Sequence, residues 1–276
     1  METDMTFEEL TARIKAGLSA AGIDAAAFEA GEIVKFYGGK RFCPVGDGTV
    51  SAALVAQKRR ISGEPLQYIL GEWEFYGLPF KVGPGVLIPR ADTETAIDCA
   101  AALLKGKAEP KVLDICAGSG CIGIALAKTV GAKVTFVEKS PDAIKYLKEN
   151  LVLNHTPGEI ITADVLNGAF ETEKRFNLLI SNPPYIRTAE LPQLSKEVKC
   201  EPEMALDGGE DGLLFYRKIA GEWKHLLKSG GHIVFETGYD QRREVEALLG
   251  SCGFTDVSAK KDICGNDRVV FAKYIY

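Results

Sequence analysis

Leu179-Ile180-Ser181-Asn182-Pro183-Pro184-Tyr185-Ile186 is an apolar run that ends in two consecutive prolines, with an amide before them and an aromatic after. Proline has no backbone N–H and cannot continue a sheet ladder. The run therefore reads as a buried strand that must stop here, with Ser181 and Asn182 at its carboxyl end. Open α/β sheets bind ligands at the carboxyl ends of their strands. A stiff loop carrying one amide, backbone carbonyls and one aromatic ring is equipped to hold a planar amide or amidine.

Outward from this stretch, strand and helix signals alternate, the pattern of a parallel sheet with helices on both faces. Upstream, strands are expected at Lys111–Cys116, Lys133–Glu138 and Glu159–Ala163, with helices after Gly120 and over Pro141–Leu151. Downstream, a helix is expected over Glu210–Leu227, a strand over His232–Glu236 and a helix over Gln241–Leu249. Phe254–Ala259 and Arg268–Tyr274 follow without a helix between them, which suggests an antiparallel pair. Residues 1–72 differ. Thr6 and Glu9 have capping-box spacing, and Leu10, Ile14 and Leu18 share a helical face. Further helices are expected near Ala25–Tyr37 and Thr49–Arg60. Residues 73–90 hold three short extended runs, the last Val86-Leu87-Ile88, broken by Gly and Pro, and read as β-hairpin structure. Asp92 or Thr93 can then cap a helix reaching Leu104, with Ile97, Ala101 and Leu104 on one side. The expected organisation is a helical domain over 1–72, a hairpin connector over 73–90 and an α/β domain over 91–276.

Composition narrows the function. The chain has 276 residues, 46% of them hydrophobic, enough for a sizeable core. No apolar run approaches the roughly 18 residues of a membrane span, and Met1-Glu2-Thr3-Asp4 does not open a secretory leader. Seven scattered cysteines without a Cys-x-x-Cys pair argue for free thiols in a reducing cytoplasm. His155, His225 and His232 lack metal-ligand spacing, so no metal is expected. A net charge of −5 weighs against a protein that grips long nucleic acid by its phosphates.

The chemistry gathers at two places. Val112-Leu113-Asp114-Ile115-Cys116-Ala117-Gly118-Ser119-Gly120 is a strand, a glycine turn and a helix start. Glycines let backbone approach a ligand, and the helix N-terminus adds unpaired N–H groups. Glu138, ending the next strand, is placed to accept from two ribose hydroxyls. Asp164 is placed to accept from an adenine amino group, with Val165 or Leu166 against the ring. Gly118-x-Gly120-x-x-Gly123 also matches the dinucleotide fingerprint. Asp114, however, would repel a pyrophosphate and favour a cation. S-adenosylmethionine, with a sulfonium, an ammonium and no phosphate, suits that site better.

Asn182-Pro183-Pro184-Tyr185 after such a strand is shared by methyltransferases acting on adenine N6, guanine N2 and glutamine N5. Further stretches are more specific: Glu64-Pro65-Leu66-Gln67-Tyr68-Ile69-Leu70-Gly71, Ile88-Pro89-Arg90-Ala91-Asp92-Thr93-Glu94, Glu201-Pro202 with Ala205-Leu206-Asp207-Gly208-Gly209, and Asp262-Ile263-Cys264-Gly265-Asn266-Asp267-Arg268. Together they resemble the bacterial release factor glutamine methyltransferases over nearly the whole chain. The resemblance implies a seven-stranded S-adenosylmethionine-dependent methyltransferase sheet behind a helical substrate-recognition domain. It implies as substrate the glutamine of the Gly-Gly-Gln motif in class 1 peptide chain release factors. A monomer without direct nucleic-acid binding is expected. Asp114, Cys116, Ala117, Gly118, Ser119, Gly120, Glu138, Asp164, Val165 and Asn182 would hold the cofactor. The Asn182 side-chain oxygen and the Pro183 carbonyl would accept the two N–H bonds of the substrate amide, with Pro184 stiffening the loop and Tyr185 packed against the amide. Arg90, Thr93 and Glu94 would either form a lip between the domains or simply begin a capped helix. Two positions depart from the family pattern: Cys116 stands for the first glycine of the turn and Ala91 for a proline. The motif alone leaves open a ribosomal-protein glutamine, a nucleic-acid base, or cofactor binding without catalysis.

Overall fold

The structure, a computed structural model, describes residues 5–276; the Met1–Asp4 stretch read above lies outside it. The chain forms two compact units. One holds the residues up to Glu72 with Ser195–Cys200, the other Trp73–Leu194 with Glu201–Tyr276.

The first unit packs α1 (Phe7–Ala20), α2 (Ala26–Phe36), α3 (Asp47–Ile61) and the short α4 (Leu66–Leu70). The Thr6–Glu9 capping box forms as read, with the Glu9 N–H donating to Thr6 Oγ1 and the Thr6 N–H to Glu9 Oε2. Leu10, Ile14 and Leu18 are fully buried. Ser195–Cys200, expected within the α/β region, joins these helices through an ion pair. Arg60, itself buried against Glu29, also bonds Glu197 at 2.6 Å. Sequence separation hides that partner.

The second unit opens with a hairpin of β1 (Glu72–Phe75) and β2 (Leu78–Lys81). Phe75 and Phe80 enter the same core as the sheet, so the hairpin is part of this unit and not a free connector. Val86-Leu87-Ile88 does not become a strand. Gly85, at φ +100°, turns the chain tightly over Asp142, and the run continues without sheet pairing. Then follow α5 (Glu94–Leu104), β3 (Lys111–Ile115), α6 (Cys121–Val130), β4 (Lys133–Glu138), α7 (Pro141–Leu153), β5 (Gly158–Thr162), β6 (Phe176–Ser181), α8 (Leu214–Lys218), β7 (Leu227–Glu236), α9 (Arg242–Ser251), β8 (Phe254–Lys261) and β9 (Asp267–Tyr274). The strand order is β5-β4-β3-β6-β7-β9-β8, seven strands with only β9 antiparallel to its neighbours. One face is covered by α5, α6 and α7, the other by α8, the residues after it, and α9. This is the sheet the sequence led us to expect, antiparallel pair included.

Two helices differ from expectation. The Glu210–Leu227 helix starts only at Leu214, because Gly209 and Gly212 take positive φ. It then loosens into a π turn at Ile219–Trp223 and a 3₁₀ turn at Lys224–Leu226. Neither Asp92 nor Thr93 caps α5; a 3₁₀ turn at Ala91–Thr93 leads in, and both side chains bond elsewhere. On α5 itself Ala100, not Ala101, completes the buried face. Among the described residues no helix is long and apolar enough to cross a membrane, and no cluster could hold a metal.

Asn150 on α7 ties the hairpin to the glycine turn. It is fully buried, accepts from the Lys81 N–H at 2.6 Å, and donates to the Lys81 and Ser119 carbonyls at 3.1 and 3.0 Å. Each such bond is worth about 1 kcal/mol. Asn150→Ala is therefore expected to lose about 3 kcal/mol, seen as a lowered urea midpoint with an unchanged m-value.

Candidate active site

In the centre of the sheet the chain order reverses. From β3 it runs outward through β4 and β5, then returns to β6 on the other side of β3. Register places Ile115 opposite Ser181, and the Ser181 hydroxyl donates to the Ile115 carbonyl at 2.5 Å. The next residues, Cys116 and Asn182, therefore leave the sheet side by side. They open a cavity of about 300 Å³. Its floor is Cys116–Ser119; Glu138 and Asp164–Leu166 form one wall, and Asn182 and Pro184 another. Val86–Arg90, Thr93, Lys139, Met204 and Phe215 are among the other residues that line it.

The turn residues take their places for different reasons. Gly118 and Gly120 have positive φ, and a Cβ on Gly120 would lie 2.2 Å from Leu147. Gly123 is needed for close approach, since a Cβ there would strike Phe136 and Asp114. Cys116 has φ +59°, the left-handed torsion that glycine adopts without cost. Glu138 bridges the turn, accepting from the Gly118 N–H through Oε2 and from the Lys139 and Ser140 N–H groups through Oε1, each at 2.8 Å. Asp164 accepts from the Leu166 N–H and pairs with Lys139 at 2.7 Å, which holds its carboxyl below the usual range.

Asp114 is elsewhere. It is fully buried and outside the cavity wall, where Oδ2 accepts from the Gly123 N–H at 2.9 Å. Burial raises its pKa well above the ordinary value. Expected beside a cation, it instead holds the start of α6 from below. A side chain at this position of β3 points into the layer between sheet and helix, a fact that alternation alone does not distinguish from the strand tip. Gly120 likewise lies outside the wall.

On the other side, Asn182 is half-buried, and its Nδ2 donates to Thr93 Oγ1 at a long 3.4 Å. Pro183 is buried beneath the cavity surface, while Pro184 lines it. Tyr185, expected against the substrate amide, is not in the wall; its ring packs on the core beside Tyr216 and Phe235. A second loop stiffens this one. The Ile186 N–H donates to the Leu206 carbonyl, and the Gly208 N–H to the Ile186 carbonyl. Glu201, almost fully buried, accepts from the Ile88 N–H at 3.0 Å and pairs with Arg90. Glu94 accepts from the Tyr76 N–H, so it anchors the hairpin.

Residues 90–215 match the family model described as methyltransferase small domain. A release factor glutamine methyltransferase of Clostridium botulinum is 39% identical over 76% of this chain and 75% of its own length. One from Fusobacterium nucleatum is 45% identical over 80% of this chain, a match that spans 62% of that protein. The chain belongs to the release factor glutamine methyltransferase family. A methyltransferase crystal structure from Pyrococcus furiosus, 19% identical, covers 80% of this chain and 98% of its own with a TM-score of 0.54, a likeness of fold.

In this release factor glutamine methyltransferase family member, a buried polar cluster lies behind Asn182; sequence reading named Thr93, Asp92 and Arg268 for other reasons and missed Glu236. Glu236 ends β7 with 1% exposure, and its Oε2 has no partner among the described residues. Burial is the main cause that pushes its pKa up to about 7, while Thr93, Arg268 and Arg90 pull it down. Arg268 pairs with Asp92 and Asp262, and Tyr216 donates to the Glu236 carbonyl. The available signal was a carboxylate closing an apolar strand, as Glu138 closes β4.

Two outcomes follow from these groups. At Cys116, a non-glycine residue in the left-handed region costs on the order of 1–3 kcal/mol. Cys116→Gly should therefore stay within about 1 kcal/mol of the parent, and the β-branched Cys116→Val should lose about 2 kcal/mol or more by chemical denaturation. Glu236 has a folded pKa above its unfolded one, so the native state binds more protons between about 4.5 and 7. Its contribution is present at low pH and lost as pH rises through about 7. Glu236→Gln should raise stability at pH 8 by on the order of 3 kcal/mol, and the gain should shrink towards pH 5, as followed by the melting temperature.

Proposed function

We propose that the protein transfers a methyl group from S-adenosylmethionine to N5, the side-chain amide nitrogen, of the glutamine in the Gly-Gly-Gln motif of class 1 peptide chain release factors. One observation carries this reading: the glycine turn and the Asn182 amide open onto one cavity at the reversal point of the sheet. The family relationship supports the choice of acceptor.

The cavity residues fit the cofactor. Its volume falls in the range of small-molecule sites. The two basic side chains on its wall are engaged by acids, Lys139 by Asp164 and Arg90 by Glu201, so little is offered to a pyrophosphate. Cys116–Ser119, Glu138, Asp164 and Val165 would hold the nucleoside and amino-acid parts. Asp114 supports this set from outside the cavity through Gly123. When bound, S-adenosylmethionine supplies a methyl group activated on a sulfonium, whose leaving group is a neutral thioether that needs no acid.

The protein's remaining task is to hold a poor nucleophile. An amide lone pair is delocalised into its carbonyl. The Asn182 side-chain oxygen and the Pro183 backbone carbonyl accept the two N–H bonds of the glutamine amide, which fixes the nitrogen and drives electron density towards it. Pro184 and the Leu206–Gly208 pairing keep that loop from yielding. Tyr185 acts from the core side as the loop's anchor. Positioning of this kind can supply about 7–11 kcal/mol, with oriented dipoles adding to it. The methylated nitrogen is acidic and releases its proton to water, so no dedicated base is assigned. The helical unit is assigned to recognition of the release factor, and the cytoplasm is the place of action.

The test is incubation with methyl-labelled S-adenosylmethionine and, separately, a purified class 1 release factor, a ribosomal protein and DNA. Label is expected in the release factor alone, and not after its motif glutamine is replaced by alanine. Label in either other acceptor would overturn the assignment. Asn182→Asp keeps the size but removes the amide's donors and adds a charge. Turnover should fall on the order of 100-fold or more, with cofactor affinity changed far less in calorimetry.

A further inference from the structure

Between Asn182 and Tyr185 the chain gives its neighbours little to hold. Pro183 and Pro184 lack N–H groups, and among the described residues no backbone N–H donates to either of their carbonyls. Their rings fix φ, so the segment behaves as a stiff strap whose course is set where its two ends are pinned. The first pin is the tip of β6, where the Ser181 hydroxyl holds the Ile115 carbonyl. The second is the peptide group joining Tyr185 to Ile186. Its carbonyl accepts from Gln241 Nε2 at 2.9 Å, and its N–H donates to the Leu206 carbonyl at 3.0 Å.

Gln241 stands at the N-cap of α9, yet its side chain makes no capping bond. Instead it is buried, 2% exposed, and engages three loops at once. Nε2 donates to the Tyr185 carbonyl after β6 and, at 3.3 Å, to the Gly212 carbonyl before α8. Oε1 accepts from the Gly238 N–H after β7 at 3.0 Å. Two carbonyls on one side and an N–H on the other leave the amide a single orientation. The fit is close: a Cβ on Gly212 would lie 2.4 Å from Nε2 and 2.5 Å from the Tyr185 oxygen. An outer tie spans two of the same loops, with Arg187 paired to Asp240 at 2.9 Å.

We propose that Gln241 is a positioning residue for methyl transfer: by gripping the Tyr185 carbonyl it sets where the Asn182 amide and the Pro183 carbonyl meet the acceptor. The proposal rests on the functional reading above for the identity of that acceptor, and on geometry alone for the clamp. Gln241 lines no part of the cavity, so it acts through the strap and not on the reacting groups. The glycine turn has its own holders, Glu138 and Asp114. Loss of the clamp therefore falls on the geometry of transfer and spares cofactor binding.

The experiment uses the full chain and three variants, with kcat, KM for cofactor and release factor, and affinity for S-adenosylhomocysteine measured for each. Gln241→Glu keeps the size and the acceptor for the Gly238 N–H, but sets a carboxylate oxygen against two carbonyls. It should lose roughly 100-fold in kcat, with both cofactor constants within a few-fold of the parent. Gln241→Met keeps the length without the hydrogen bonds and should lose about 10-fold in kcat; it carries the test if the charged variant does not fold. Leu249→Ala hollows the buried face of the same helix and leaves the clamp untouched. It should lower the melting temperature while kcat stays within a few-fold of the parent. Parent-like kcat in Gln241→Met overturns the proposal. So does a loss in Leu249→Ala as large as that in the Gln241 variants, or a loss of cofactor affinity equal to their loss of kcat.

A second readout is independent of turnover. Hydrogen exchange of the Ile186 N–H, taken relative to that of Leu113 on β3, should quicken on the order of 10-fold in Gln241→Met. If the parent methylates no acceptor, the functional reading fails while this exchange still decides the clamp; an unchanged ratio sinks it.

Discussion

Everything at the site depends on the parallel pairing of β3 with β6. Strands leave a parallel sheet from the same edge, so Ile115 opposite Ser181 forces Cys116 and Asn182 to emerge together. The reversal of strand order at this pair means that the connections diverge there, and the gap between them is the cavity. The Ser181 hydroxyl, bonded to the Ile115 carbonyl, locks the register at the strand tip. A slip of one residue would turn Asn182 to the opposite face of the sheet.

Around that gap the protein builds a frame from loops, which are ordinarily its most yielding parts. Carboxylates do much of this work by accepting backbone N–H bonds. Glu138 holds the glycine turn, Glu201 holds Ile88 and Arg90, and Asp262 gathers the Cys264 and Asn266 N–H groups beside Arg268. Because β9 runs antiparallel, its first residues lie at the same edge as the last residues of β7, Val269 opposite Glu236. That inversion brings Arg268 to the site from the far end of the chain.

The buried acids bring a tension. Glu236 and Asp114 both resist ionisation because burial strips their hydration. Asp114 answers this in part with the Gly123 N–H, and Glu236 lies near Arg268, yet each keeps one carboxylate oxygen without a partner among the described residues.

The sequence by itself determined the elements and their kind. Periodicity, prolines and glycines marked the strands, the turn at Cys116–Gly120 and the stop at Pro183, because these follow from local sterics and alternation. It also pointed to Asn182 and Glu138, since a polar residue closing an apolar strand needs no tertiary knowledge to be noticed. Only the tertiary structure decided which strand ends share a gap and which side chains face it. Asp114 moved out of the wall and Tyr185 into the core, and the Glu210–Leu227 helix shortened where two glycines took positive φ. Thr93, Glu201 and Glu236 joined the site from distant parts of the chain. Their partners are set by strand order and burial, and those depend on contacts between residues that no local pattern connects.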